Sequence, residues 1–317
     1  MSKPNVGHSN FGGSDWLLPL VLLPLYFAVW GKFGQKFAAA AGLSIATGVA
    51  CWFVALLQQS AGDDLKAAEI PFCWSLFLLF PLFCPLGLPL WIIPPLLVLA
   101  YLISITSFGG FRRHFFNPIA VAVVLMLAGY GYTASLSASK PILPEGAGYR
   151  AWSAGVPPAR PLWFYYAAVS TDKLLAASMS ADLPAMPGSV YTLLILILAL
   201  VMALFFGRGR AWLFTLLLAV PGFTAIAAKS GLVAFSPLHP LLLGLGPALM
   251  LVAVVDYHSL PARNSEQIVY GLVFSALLLV FSVRSVNPLA PVYALLLMQV
   301  LSPLLCDLLL RQKGGAR

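Results

Sequence analysis

The chain has 317 residues, of which 61% are hydrophobic and 9% are charged, and its net charge is +8. Soluble domains carry roughly 25% charged residues, so this sequence has too few charges to cover a water-soluble protein of its size. Lipid must cover much of the surface, and the basic excess fits residues that flank membrane helices. No basic segment interleaved with aromatic residues is long enough to indicate nucleic-acid binding.

The apolar runs are continuous over roughly 17–25 residues, which favours membrane-spanning helices over the alternating strands of a transmembrane β-barrel. The predicted fold is all-α, a polytopic transmembrane bundle of about ten helices. The predicted segments are 16–30, 37–58, 70–84, 87–105, 117–133, 189–206, 211–228, 236–255, 267–283 and 289–310. Pro71, Pro81 and Pro85 interrupt the third segment, and irregular backbone at membrane depth needs protein or a cavity around it. We therefore expect that segment inside the bundle.

Residues 134–188 form a long segment, rich in proline and glycine, between the fifth and sixth predicted helices. Loops of this length are usually functional or disordered. It divides the chain into an N-terminal half (1–133) and a C-terminal half (189–317) of five helices each, as in many transporters built from repeats. Basic residues near helix ends predict a cytoplasmic N-terminus and an extracytosolic 134–188 loop, although Lys32 and Lys36 then lie outside, against the rule.

Few residues of this sequence could carry chemistry inside a bilayer. The acidic residues, Asp256 among them, lie at predicted helix ends or in loops, which argues against a proton or cation pump made by this chain alone. No two histidines occupy mid-helix positions that would suit a haem. The four cysteines are predicted to be buried thiols rather than metal ligands, and we assign no metal site and no catalytic residue.

The entry to the fifth helix has a more informative pattern. A Gly109-Gly110 turn leads to Asn117-Pro118, and asparagine at an N-cap followed by proline is favourable for starting a helix. Exposed N–H groups at a helix start suit an anionic or electron-rich ligand.

Three blocks of the sequence resemble the RnfD/NqrB family, the membrane subunits of ion-translocating redox complexes. The first block is Phe108-Gly109-Gly110 followed by Phe116-Asn117-Pro118, behind a proline-rich stretch from Pro85 to Pro95. The second comprises Asp256, Pro261, Gln267, Tyr270 and Gly271. The third comprises Pro288, Ala294, Leu296, Leu297, Met298, Leu301 and Pro303, and is similar to the family's Pro-Glu-Gly…Leu-Leu-Met-Asn final helix.

The resemblance implies a flavin. Family members carry FMN joined by a phosphoester to a threonine in an Asp-x-x-Ser-Gly-Ala-Thr motif, on the extracytosolic side between the fifth and sixth helices. In this chain Asp172, Ala177 and the hydroxyl of Ser178 match that motif, whereas Leu175 and Ala176 depart from it. We expect FMN, with Ser178 as the candidate for covalent attachment. The candidate flavin-binding residues as a set are Ser178, Asp172, Ala177, Asn117, Gly109, Gly110 and Asp256, and a second, non-covalent flavin is left open.

The resemblance also implies a role inside a complex. The expected function is a flavoprotein subunit of the bacterial inner membrane that relays electrons between membrane and peripheral partners carrying flavin or iron–sulfur groups, with ion translocation as an open question. It would be a subunit of an oxidoreductase or translocase, not a stand-alone enzyme. Leu289 and Ala290 replace the family's Glu-Gly, which weakens the ion path. The alternative is a cofactor-free transporter or scaffold subunit.

Overall fold

The computed structural model describes residues 17–60, 73–85, 88–108, 114–136, 169–179, 186–206, 209–285 and 289–314, and within these ranges it contains helices and no strands. The helices are α1 (Leu17–Phe33), α2 (Gln35–Ser60), α3 (Trp74–Phe83), α4 (Ile93–Ser104), α5 (Pro118–Leu136), α6 (Leu174–Met179), α7 (Thr192–Phe206), α8 (Arg210–Lys229), α9 (His239–Leu242), α10 (Gly246–Val255), α11 (Asn264–Arg284) and α12 (Pro291–Gly314). Single 3₁₀ turns lie at Leu90–Ile92, Thr106–Phe108, Thr171–Lys173, Pro187–Ser189 and Tyr257–Ser259.

The helices confirm a polytopic membrane bundle. In the described ranges, four helical stretches are long and apolar enough to cross a membrane, at Gln35–Leu57, Leu90–Phe108, Arg210–Lys229 and Asn264–Arg284. Six shorter apolar helices accompany them. Each predicted segment overlaps one of these helices. Large apolar side chains such as Leu218, at 78% exposure, point away from the protein core, as expected for surface that faces lipid.

The third predicted segment lies in the interior, as expected. Leu76, Phe77, Leu79 and Phe80 of α3 are at most 1% exposed. Pro81 within α3 has no N–H, so the carbonyl of Phe77 lacks its usual partner four residues later. The Ser44 hydroxyl of α2 donates to that carbonyl over 2.7 Å. A hydroxyl from a neighbouring helix thus replaces the hydrogen bond that the proline removes.

The predicted single helix at 236–255 is wrong, because the chain is broken there into two short helices. α9 ends at Leu242, and Gly244 then takes a φ of +80°, a conformation that residues with a Cβ rarely adopt. α10 starts two residues later, and a Cβ at Gly246 would lie 2.9 Å from the Pro240 carbonyl oxygen. The two glycines allow a sharp turn and a close approach, and all ten residues of α10 are buried.

Helices from the two sides of the long segment pack together in matching pairs. When the short helices α6 and α9 are set aside, α1 packs against α7, α3 against α10 and α5 against α12. In each pair the two helices occupy the same place in their own series of five. The start of α5 and the end of α10 are therefore brought to a shared interior region, where the candidate site lies.

We predict that Ser44→Ala lowers the free energy of unfolding by about 1–3 kcal/mol, because it leaves the buried Phe77 carbonyl without a donor. The matched control is Thr47→Ala on the same helix, since Thr47 donates to the Leu43 carbonyl within α2 itself. Thermal unfolding in detergent or lipid measures both variants. Equal destabilisation by the two substitutions would contradict the replacement role of Ser44.

Candidate functional site

The site is built around the carboxylate of Asp256, which directly follows α10 and is 2% exposed. His114 approaches one carboxylate oxygen, with 2.7 Å between Nε2 and Oδ1. The side-chain amide of Asn117 donates to the other oxygen, Oδ2, also over 2.7 Å. Both partners precede α5, so the contacts join segments 142 and 139 residues apart in the sequence. A buried carboxylate is thereby paired and hydrogen-bonded, as its desolvation requires.

Asn117 is the structural centre of this arrangement. Its Oδ1 accepts hydrogen bonds from the backbone N–H groups of Ile119 (3.0 Å) and Ala120 (3.2 Å), which caps α5 as the sequence predicts. Since backbone N–H groups only donate, the oxygen must face the helix, and the amide nitrogen must face Asp256. The cap and the contact with Asp256 therefore fix the same side-chain orientation.

Gln299 of α12 completes the Asp256 cluster, by which we mean His114, Asn117, Asp256 and Gln299. Its Oε1 accepts from the backbone N–H of Asn117 over 3.0 Å, across 182 residues of sequence. That donor fixes the amide orientation, so the Nε2 group points elsewhere. This nitrogen is buried and has no hydrogen-bond partner in the described part of the chain.

A second unused donor lies beside the cluster. Tyr270 of α11 is 1% exposed and within electrostatic range of the Asp256 carboxylate. Its hydroxyl, like the Gln299 amide nitrogen, has no hydrogen-bond partner among the described residues. Buried polar groups are nearly always satisfied by protein, water or ligand. Two unused buried donors, on Gln299 and Tyr270, therefore suit a ligand that accepts hydrogen bonds.

The structure brings together two of the predicted site residues, Asn117 and Asp256. Gly109 and Gly110 lie outside the described residues. His114 and Gln299 were not among the residues predicted from the sequence. Gln299 had a usable signal, because it follows Leu-Leu-Met in the third block at the place where the family pattern has an asparagine. His114 had none beyond its position three residues ahead of Asn117.

The other predicted site residues lie in the long segment, on or beside α6. Asp172 is exposed and Ala177 is half-buried. Ser178 is 1% exposed, and its hydroxyl donates to the Leu175 carbonyl over 2.7 Å. The Thr192 hydroxyl, at the start of α7, contacts the backbone carbonyl of Ser178 over 3.4 Å.

The two groups of predicted residues occupy opposite ends of α7. Ser178 contacts Thr192, the first residue of that helix. Beyond its last residue, a Cβ at Gly209 would lie 3.9 Å from Cα of Val254, two residues before Asp256. Because α7 has 15 residues, a rise of 1.5 Å per residue separates its ends by about 20 Å. The two groups therefore do not form one cluster.

The residues at these two places differ in how well they fit a flavin. At the Asp256 cluster the unused donors of Gln299 and Tyr270 match the carbonyl oxygens and ring nitrogens of a flavin, so the donor chemistry fits. At Ser178 the hydroxyl is buried and already hydrogen-bonded, so it does not fit a phosphoester linkage in this conformation.

The fold and this site define a multi-pass helical membrane protein with a buried, hydrogen-bonded carboxylate where its two series of helices meet. Residues 9–314 match the model of the NQR2, RnfD, RnfE family, so the chain belongs to that family. It is therefore a membrane subunit of an Rnf/Nqr-type complex and works together with other subunits. No curated protein matches the chain significantly.

The His114–Asp256 pair predicts a pH dependence. Burial lowers the pKa of His114, but the charge of Asp256 and its hydrogen bond raise it by more, so the pKa lies above its ordinary value. The pair stabilises the fold fully below a pH of about 6.5 and loses that contribution as pH rises through the higher folded-state pKa. The difference in thermal midpoint between the wild type and His114→Gln should shrink as pH rises through that range. A difference independent of pH would rule out a protonated His114.

Removing the carboxylate should destabilise the fold strongly. We predict that Asp256→Ala lowers the free energy of unfolding by about 3–5 kcal/mol, because His114 and the Asn117 amide lose a buried partner. The control is Arg263→Gln, which breaks the 3.6 Å ion pair with Glu266 at an arginine that is 57% exposed. That change should cost at most about 1 kcal/mol. Similar melting temperatures for the two variants would contradict the central role of Asp256.

Proposed function

We propose that this chain relays electrons between partner redox subunits of its complex through a bound flavin. The observation that carries the proposal is the meeting of the three family-like blocks in one buried place. Asn117 belongs to the first block, Asp256 to the second and Gln299 to the third, and hydrogen bonds join them. These blocks are far apart in the sequence, yet they meet around buried donors that have no partner. This arrangement favours a ligand-binding site over contacts that serve helix packing alone.

The flavin would be held without a covalent bond at the Asp256 cluster. The amide nitrogen of Gln299 and the hydroxyl of Tyr270 would donate to its acceptor atoms. A flavin exchanges one or two electrons, while the protein supplies position and electrostatics. His114 and Asp256 share a hydrogen bond between Nε2 and Oδ1. A proton held between these two atoms would balance a change in the charge of the bound flavin. The surrounding buried helices exclude water from this region.

The partners follow from what the chain lacks. Its sequence has neither a nicotinamide-binding pattern nor an iron–sulfur motif, and the described residues contain no group of metal-ligating side chains. Other subunits, carrying flavin or iron–sulfur groups, would then be the electron donor and acceptor. We place the complex in the bacterial inner membrane with the 134–188 segment outside. Any ion coupling would depend on the partners, because Leu289 and Ala290 replace the family's Glu-Gly.

A cofactor-free transporter or scaffold is the second candidate function. The observation that favours it is the packing of α1 with α7, α3 with α10 and α5 with α12, because transporters commonly place matching repeats face to face. The composition opposes it, since only 9% of the residues are charged and a solute path needs polar lining. Flavin content separates the two candidates.

We predict that the complex purified with its partners releases flavin on acid denaturation, and that Tyr270→Phe and Gln299→Leu each weaken flavin retention by about tenfold. Loss of one buried hydrogen bond is worth on the order of 1–2 kcal/mol, which gives a change of that size. Flavin per mole of subunit is measured by fluorescence after gel filtration at several protein concentrations.

The matched control is Tyr293→Phe, which removes a hydroxyl from an exposed tyrosine on α12 and should leave flavin content unchanged. Absence of flavin from the wild-type complex would contradict the electron-relay proposal and favour the transporter or scaffold. Equal flavin loss in all three variants would contradict the assignment to the Asp256 cluster.

A further inference from the structure

We infer that Ser178 is a structural residue, whose hydroxyl is bonded within α6 and whose backbone carbonyl meets Thr192 of α7, and that this chain does not carry the family's phosphoester-linked flavin at that position. The inference concerns the end of the bundle opposite the Asp256 cluster. It is independent of the proposed function, because a non-covalent flavin at the cluster needs nothing from Ser178.

The chain departs from the family motif at two positions. The family pattern has a hydroxyl residue and a glycine where this chain has Leu175 and Ala176. Alanine and leucine are among the strongest helix formers, whereas glycine disfavours a helix by about 1 kcal/mol relative to alanine. The segment from Leu174 to Met179 is accordingly helical. The departures thus replace a helix-breaking sequence with a helix-forming one.

Helix formation then determines the direction of the Ser178 side chain. Residues four apart lie on the same face of a helix, so Ser178 shares a face with Leu174. Leu174 is 2% exposed and Ser178 is 1% exposed, whereas Leu175 is 59% and Met179 is 49% exposed. α6 therefore buries the face with Leu174 and Ser178 against the bundle and presents the opposite face outward.

Two polar groups of Ser178, its hydroxyl and its backbone carbonyl, contact other parts of the protein. Its hydroxyl donates to the Leu175 carbonyl over 2.7 Å within α6. Its backbone carbonyl is contacted by the hydroxyl of Thr192, which also reaches the carbonyl of Leu242 at the end of α9. One threonine hydroxyl thus links α6, α7 and α9. Formation of a phosphoester would break the Ser178 hydrogen bond and bring an anion to this junction.

Access and charge both oppose the linkage. Transfer of a flavin phosphate to serine needs an in-line approach of the hydroxyl oxygen to phosphorus, which a 1% exposed residue does not permit. The product would place a phosphodiester anion against Leu174 and the start of α7, where desolvation of an unpaired charge is costly. The nearest charged residues in sequence, Asp172 and Lys173, are exposed and lie at the far end of the short helical segment.

The test uses the whole complex, produced with its partners and a flavin-transfer enzyme. Trypsin cleaves after Lys173 and Arg208, so a single peptide of residues 174–208 contains Ser178. Mass spectrometry of that peptide, with in-gel fluorescence after denaturation, should show the unmodified mass and no fluorescence. A flavin phosphate adduct on Ser178 would overturn the inference.

A triple variant tests the cause. Leu175→Ser, Ala176→Gly and Ser178→Thr together restore the family motif behind Asp172, and we expect this variant to gain a fluorescent adduct that the parent lacks. An adduct on neither protein would contradict the explanation from Leu175 and Ala176. Acid-released flavin is measured in the same samples. Its absence would overturn the proposed electron relay without bearing on Ser178.

The structural role has its own readout. Ser178→Ala and Thr192→Val should each shift thermal unfolding of the complex to lower temperature and leave flavin content unchanged. The matched control is Ser170→Ala, which removes an exposed hydroxyl and should shift nothing. Loss of flavin in Ser178→Ala at unchanged thermal stability would contradict a structural role for Ser178.

Discussion

The architecture depends on one buried carboxylate that is held from both sides of the chain. Asp256 ends α10, and its two oxygens receive His114 and Asn117 from the entry to α5. Removing either partner leaves charge or a polar group unpaired in a region where water is scarce. The placement of the end of α10 and of α12 against the start of α5 therefore depends on electrostatics as well as on shape. Membrane helices, which gain little from hydrophobic burial against each other, need such polar contacts to fix their pairing.

The separation of the two predicted groups of residues changes how the molecule can be understood. Resemblance alone places Ser178 and Asn117 together as flavin ligands, since a family pattern carries no distances. In the structure α7 lies between them, with Thr192 at one end and Val254 beside the other. One end presents a satisfied serine in a short helix, and the other presents unused donors next to an acid. We therefore place the proposed flavin site at the end where the two series of helices meet.

Much of this could be predicted from the sequence, for reasons that are clear in particular residues. The ten apolar helices follow from run length and composition, and the Asn117 cap follows from local helix chemistry. The break at Gly244 was not predicted, because a glycine in an apolar run also suits close helix packing, and only the backbone angle distinguishes the two. Gln299 stands where the family pattern has an asparagine, but that pattern does not show what its amide contacts. Its importance comes from a partner 182 residues away.

That long sequence separation also constrains how the protein is made. When α5 enters the membrane, the backbone N–H of Asn117 and its amide await partners that have not been synthesised. Asp256 arrives only after three further apolar helices, α7, α8 and α10, have followed, and Gln299 lies on α12. Until then, the first half carries polar groups without hydrogen-bond partners, because lipid tails cannot donate or accept hydrogen bonds. Insertion of α12 is thus the step that satisfies the Asn117 N–H, and a chain that stops before α12 leaves this buried donor unpaired.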